Sequence, residues 1–166
     1  MRRAIVVLVV ALGSVSVCAG GDESQAKVRV VLTIDNDDPA AGSYYLSIER
    51  TGEVERAGIA RPGVVDVVNR VPAAKLMELR EVIVRRQFFR LRKNYGCVQE
   101  LGFRSIQVEL GGRRHSVKFC PARRPDLPKR DIQALLTIWY ATLNAVSRKG
   151  PVPVSELDKR FLSRTH

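Results

Sequence analysis

Apolar and polar residues alternate from Lys27 to Ile34, with Val28, Val30, Leu32 and Ile34 on one side. That period of two predicts a strand. Ser43 to Arg50 alternates in the same way through Tyr44, Leu46 and Ile48. Thr51-Gly52 follows, and Glu53 to Ile59 returns. This stretch predicts a β-hairpin in which Gly52 supplies the positive φ of the turn. Val64 to Val68 predicts another short strand. Phe103 to Leu110 and Arg113 to Cys120 predict a second hairpin across Gly111-Gly112. Placing Leu110 opposite Arg113 gives an inner face of Ile106, Val108, Leu110, His115, Val117 and Phe119.

The period changes to that of a helix after Pro72, a residue tolerated in a first turn because its missing N–H would be unpaired there anyway. Leu76, Leu79 and Ile83 define a buried face, widened by Met77 and Val84. Arg80 falls inside this stripe and is expected to snorkel or to pair with a carboxylate. The helix ends near Arg85-Arg86, where cations suit the negative end of the dipole. Phe88, Phe89 and Leu91 follow at once and read as core anchors. Pro121 to Pro128 is a basic loop in which Asp126 can cap a helix running through Ser147. Ile132, Leu135, Leu136, Trp139, Leu143 and Val146 form the core stripe of that helix. Gly150 to Pro153 is an extended linker, after which Ser155 caps a last helical turn holding Leu157, Phe161 and Leu162.

These elements predict an α+β fold, an antiparallel sheet of hairpins packed on one face against two helices. The domain spans residues 27–148. Residues 20–26 are a flexible lead-in, and residues 149–166 are a C-terminal tail with a short helical segment.

Residues 1–19 have a separate character. Arg2 and Arg3 precede an uninterrupted apolar run from Ala4 to Leu12, and Val17-Cys18-Ala19 fits a processing site with a small residue at its end. This is the pattern of a cleaved signal peptide. The run is too short to span a bilayer, which takes about 20 residues. The chain is therefore expected to be exported, periplasmic or secreted. Cys18 opens an alternative: as a lipidation site it would anchor the protein to a membrane face, and that anchor would be the chain's only membrane contact.

Cleavage after Ala19 leaves Cys97 and Cys120. An oxidising compartment permits a bridge between them, the expected disulfide. The alternative is two buried thiols. A metal site is not expected, because two cysteines without nearby His or further Cys do not complete a tetrahedral shell.

Charge adds one feature. The 166 residues carry 28 Lys+Arg and 17 Asp+Glu, a net charge of +11. Residues 22–66 are net acidic, and residues 67–166 hold nearly all the excess of basic side chains. Such asymmetry can mark a surface for an anionic partner. The candidate anion-binding residues are Arg85, Arg86, Arg90, Arg92, Lys93, Arg113, Arg114, Arg123 and Arg124. The plain alternative is a solvated, arginine-rich surface from a GC-rich genome, since Arg outnumbers Lys 21 to 7. No nucleic-acid partner is expected, because the basic run has no aromatic interleaving and no binding motif.

Catalytic chemistry has little to draw on. His115 and His166 are the two histidines; the first lies on a strand without an adjacent acid or thiol, and the second is the last residue. Asp35 to Pro39 is acidic, but Ala40 and Leu46 stand where a calcium loop needs Gly and Glu, so it reads as a turn. No nucleophile elbow, phosphate loop, zinc helix or dinucleotide fingerprint occurs. No catalytic residue, metal or cofactor is assigned, and the chain is not expected to be an enzyme.

Two resemblances bear on function. The stretch Tyr44 to Gly58 (YYLSIERTGEVERAG), Phe88-Phe89-Arg90-Leu91 with Tyr95-Gly96, and the hairpin from Arg104 to Val117 resemble a family of small exported bacterial domains of unknown function. The helix after Pro128 resembles that family's closing helix. More faintly, Ile48-Glu49-Arg50-Thr51-Gly52, Phe88-Phe89-x-Leu91 and Gly111 to His115 are similar to emfourin-type inhibitors of thermolysin-like metallopeptidases. The expected function is a non-catalytic, exported binding or interaction domain whose partner is an unknown protein or an anionic surface. The alternatives are the peptidase inhibitor that the second resemblance implies and a binder of anionic lipid or polysaccharide.

Overall fold

The computed structural model describes residues 27–35, 43–58, 66–96, 103–120, 127–155, 158–159 and 162. The leader, Cys18, Val64, Val65, Cys97, Arg123, Arg124, Asp126, Leu157, Phe161 and His166 lie outside them. The strands are β1 (Val28–Asp35), β2 (Tyr44–Ile48), β3 (Val54–Gly58), β4 (Asn94–Tyr95), β5 (Phe103–Leu110) and β6 (Arg113–Phe119). The helices are α1 (Ala73–Arg85) and α2 (Lys129–Val146), and a 3-10 turn covers Phe88–Arg90. Within the described residues the strands form one sheet in the order β3-β2-β1-β5-β6-β4, antiparallel except for β4 beside β6. The expected α+β architecture is the one observed.

The register explains the core. Val30 stands between Ile48 and Val108, and Leu32 between Leu46 and Ile106. Val117 faces Ile106, and His115 faces Val108. Side chains directly opposite one another share a face of the sheet, so these residues form one apolar layer. Leu76, Leu79 and Ile83 of α1 and Ile132, Leu135, Leu136 and Trp139 of α2 join it in a single buried cluster. The inner face read from the second hairpin is correct.

α2 is buried more widely than its sequence stripe. Ala134, Ile138, Thr142 and Ala145 are buried as well. Buried Thr142 is satisfied locally, its hydroxyl donating to the carbonyl of Ile138 at 2.8 Å. α1 packs along one side of α2. The C-terminal segment packs against Tyr140. Its Asp158, 1% exposed, accepts hydrogen bonds through Oδ2 from Tyr140 Oη at 2.6 Å and from Arg104 Nη1 at 2.7 Å. The Arg104 guanidinium lies 5.5 Å from the Trp139 ring centroid. Ser155 caps the last turn as expected, its hydroxyl accepting from the Asp158 N–H at 3.2 Å. The stretch read as a tail is thus docked, at Asp158 by charge and at Leu162 by apolar contact.

Several local expectations are corrected or completed. Met77 and Val84, read as widening the buried face of α1, are exposed. Of the segment read as a strand at Val64–Val68, the described residues 66–68 form an isolated bridge, Val67 to Ser147, with Arg70 bridging to Glu53 farther on. On one side the Val68 N–H donates to the Val146 carbonyl and the Asp66 carbonyl accepts the Arg148 N–H, both at 2.8 Å; on the other the Asn69 carbonyl accepts the Val54 N–H at 2.9 Å. α2 begins after Pro128, which makes no side-chain cap; Asp126, the expected cap, lies outside the described residues. Finally, β4 has no counterpart in the sequence reading, because two residues are too few to show a period.

The β2–β3 turn shows why Gly52 is required. Its φ is +87°, and a Cβ there would lie 2.7 Å from the carbonyl oxygen of Val71. That approach is productive: the Val71 N–H donates to the Gly52 carbonyl at 2.8 Å, tying the hairpin to the segment that leads into α1. Gly52→Ala is expected to lower stability by more than about 2 kcal/mol, since positive φ alone costs a side-chain-bearing residue roughly 1–2 kcal/mol. The denaturation midpoint in urea measures this.

Candidate anion-binding cleft

α1 ends in a tight reversal. Arg86 closes the helix, its N–H donating to the carbonyl of Val82, and Gln87 takes a left-handed φ of 52°. A non-glycine residue adopts that conformation at some energetic cost. The reversal drops Phe88 into the core, fully buried, and leaves Gln87 and Arg90 on the surface. His115 fixes the turn from below. Its Nε2 donates to the Leu91 carbonyl at 2.9 Å, and its ring meets Phe88 edge-on at 5.5 Å. His115 is therefore committed to holding the 3-10 turn on β6.

The first turn of α2 approaches the same place. A cleft of about 220 Å³ is lined by Arg85, Arg86, Gln87, Arg90 and Leu91 on one side and by Arg130, Asp131 and Ala134 on the other. Among the described residues none of these four arginines forms an ion pair. Arg90 reaches the Gln87 side-chain carbonyl at 3.5 Å. Asp131 is the cleft's carboxylate, and its Oδ2 accepts a hydrogen bond from Tyr95 Oη at 2.8 Å. The Tyr95 oxygen in turn accepts the Arg92 N–H at 2.9 Å. Four guanidinium groups beside one carboxylate repel one another, and an anion placed among them would relieve that repulsion. Planar guanidinium suits phosphate and carboxylate because it can donate two parallel hydrogen bonds.

The candidate arginines divide between locations. Arg85, Arg86 and Arg90 meet in the cleft. Arg92 and Lys93 continue the same exposed segment without lining it. Arg113 stacks over Phe89 at 4.4 Å, on the wall of an adjoining groove. Arg114 is next in β6 and so points to the opposite face, where it pairs with Glu109 at 3.4 Å. The same face holds Arg29 between Glu49 and Glu109, with Arg50 also on Glu109. The hydrogen bond that Arg29 Nε donates to the Glu49 carboxylate is the main reason the Arg29 pKa is raised, against the opposing effect of burial. Arg80 is half-buried on α1, its Nε without a hydrogen-bond partner and no carboxylate paired to it among the described residues. Arg130 was not among the sequence candidates: nothing in the chain pattern marks it as a neighbour of Arg90.

No group of three metal-ligating side chains occurs among the described residues. No helix of the described residues is long and apolar enough to cross a membrane. No protein-family model matches the chain, and no curated protein matches it.

The Tyr95–Asp131 bond has a measurable consequence. Burial, above all, raises the Tyr95 pKa; the Asp131 carboxylate adds to this, and the Arg92 N–H opposes it. The folded state holds the phenolic proton more tightly than the unfolded chain does. The resulting stability is present below the ordinary tyrosine pKa of about 10 and is lost as pH rises through the raised folded value. Tyr95→Phe is expected to cost about 1–3 kcal/mol at neutral pH, because Asp131 loses its donor. It should also flatten the fall in stability above pH about 10, leaving the share from Tyr44 and Tyr140, whose pKa values burial also raises. Denaturant titrations at a series of alkaline pH values read both effects.

Proposed function

We propose that this protein is an exported, non-catalytic binding domain whose contact surface is the arginine cleft between the end of α1 and the start of α2, and that its partner presents clustered anionic groups. One observation carries this reading: Arg85, Arg86, Arg90 and Arg130 line one cleft without ion pairs among the described residues. An arginine surface set only by composition would be expected to scatter its charges or pair them with acids, as Arg29, Arg50 and Arg114 are paired on the opposite face. The non-catalytic part of the reading is supported by the fate of the ionisable groups. His115 is occupied by the Leu91 carbonyl, and the Arg104–Asp158–Tyr140 cluster is closed around a carboxylate 1% exposed.

The test is binding to dextran sulfate and to vesicles of acidic phospholipid at several salt concentrations. Binding should weaken steeply as salt rises. The triple variant Arg85→Gln/Arg86→Gln/Arg130→Gln should bind about a hundredfold more weakly, at about 1 kcal/mol for each cation near an anionic surface. Arg114→Gln, on the other face, should bind as the native protein does. Binding that is absent, insensitive to salt, or unchanged in the triple variant overturns the reading.

Export also leaves the expected Cys97–Cys120 bridge to be tested. Parallel pairing sets Asn94–Tyr95 beside Lys118–Phe119, and the Cys120 N–H donates to the Tyr95 carbonyl at 3.4 Å. Cys97 follows Tyr95 by two residues, a reach of about 7 Å. Intact mass of the purified protein should rise by the mass of two hydrogen atoms on reduction. An unchanged mass overturns the bridge.

A further inference from the structure

Gln87 and Arg90 line a second groove as well as the arginine cleft. It measures about 440 Å³ and lies between the end of α1 and the tip of the β5–β6 hairpin. Ile83, Val84, Phe88 and Phe89 line it on the helix side, Leu110 and Arg113 on the hairpin side. Val84 is 56% exposed. Met77, the other large exposed hydrophobic residue among the described residues, lies outside the lining. At about 100° per residue, Arg85 projects about 100° and Arg86 about 160° round the helix from Val84. The groove and the cleft are therefore separate sites that meet at Gln87 and Arg90.

The lining specifies a ligand chemistry. Five of its side chains are apolar, and none is a carboxylate. Arg90 and Arg113 form no ion pair among the described residues. Their guanidinium groups donate hydrogen bonds and accept none. The side-chain acceptor on the lining is the Gln87 carbonyl, which already faces Arg90 at 3.5 Å. A peptide or a sugar would bring N–H or O–H donors to a wall poor in acceptors, and a buried donor left unpaired is costly. A carboxylate brings acceptors only, in a planar form that matches guanidinium. The rest of the ligand must be hydrocarbon to gain from Val84, Ile83 and Leu110. An aliphatic chain suits this wall better than a ring, because Arg113 already covers the Phe89 ring at 4.4 Å. The volume is that of a small-molecule site.

We propose that this groove binds a medium-chain fatty carboxylate. The hydrocarbon lies along Val84, Ile83 and Leu110, and Arg113 and Arg90 hold the carboxylate. This goes beyond the anion-binding reading of the cleft and does not depend on it, since neither Arg85, Arg86 nor Arg130 lines the groove.

The experiment is calorimetric titration of the full chain with decanoate, kept below the concentration at which it forms micelles. Decanoate should bind saturably. Decanol, with the same chain and no charge, should bind about tenfold or more weakly. Octanoate, two carbons shorter, should bind about three- to tenfold more weakly than decanoate. Arg113→Gln should weaken decanoate about tenfold. Val84→Glu places a like charge on an exposed wall of the groove and should abolish binding, with circular dichroism to check that the fold is kept. Met77→Ser, exposed on α1 but outside the groove, should bind decanoate as the native chain does. So should the triple variant Arg85→Gln/Arg86→Gln/Arg130→Gln. Absent binding, equal binding of decanol and decanoate, or undiminished binding in Val84→Glu overturns the proposal. Loss of decanoate in the triple variant places the carboxylate in the cleft and also overturns it. Neither result touches the reading of the cleft, which stands or falls on dextran sulfate and acidic vesicles.

Discussion

Burial of α2 against the inner face of β1 and β5 is the constraint on which the other features depend. β1 is central: it pairs with β2 on one side and β5 on the other, and its Val28, Val30 and Leu32 are fully buried. An apolar sheet face of this kind must be covered, and a helix with apolar residues around most of its circumference can cover it while itself being covered by α1. α2 meets that requirement with Ile132, Leu135, Leu136, Ile138 and Trp139. Once α2 is fixed, its first turn is fixed beside the reversal after α1, and Arg130 is brought to Arg85, Arg86 and Arg90. The cleft is a by-product of core packing in its position and a feature of the sequence in its charge.

The same packing accounts for the buried polar groups. Arg104 occupies an inner-face position of β5, opposite Phe119 and beside Trp139, where a charge would be costly without a partner. Asp158 supplies that partner from the last described turn, and Tyr140 shares the carboxylate. A buried ion pair of this sort adds little net stability, but breaking it leaves an uncompensated charge, so it selects one docking position for the C-terminal segment. The Oδ1 atom of Asp158 has no hydrogen-bond partner among the described residues. That stands as a cost at the edge of an otherwise satisfied cluster.

Local periodicity made most of the fold legible. The strands with four or more alternating positions and both helices were readable because each shows its period over its whole length, and the hairpin register followed from the Gly111-Gly112 turn. What the chain pattern did not reveal was set by contacts between distant segments. β4 is two residues long and exists because Tyr95 finds Asp131 in α2 and a backbone edge in β6. The docking of Asp158 depends on Arg104, far away in sequence, and no local signal encodes that meeting. The extra width of the buried face on α2 has the same origin, since Ala134 and Thr142 are neutral in any apolar pattern until a neighbour covers them. For the cleft, the arginine run from Arg85 to Arg90 was visible, while its completion by Arg130 and the diversion of Arg114 were not. The diversion is at least geometric: successive strand residues face opposite ways, so Arg113 and Arg114 could never serve one site.

The charge asymmetry of the chain takes a definite form in three dimensions. Acidic residues from both halves, Glu49 and Glu109, converge on the outer face of the sheet and pair with Arg29, Arg50 and Arg114 there. Exposed pairs of this kind contribute little stability each, typically about 0–1 kcal/mol, but they offset most of the charge of those arginines. At the junction of α1 and α2, Asp131 sits among four arginines with one of its oxygens already engaged by Tyr95. The excess positive charge of the second half is therefore concentrated where the backbone is held in a left-handed turn at Gln87 and where apolar side chains stand exposed. Repulsion among the arginines, a disfavoured φ and exposed hydrocarbon each oppose folding, and all three fall within a few residues of one another. Local costs gathered at one surface are what the proposed contact site rests on physically.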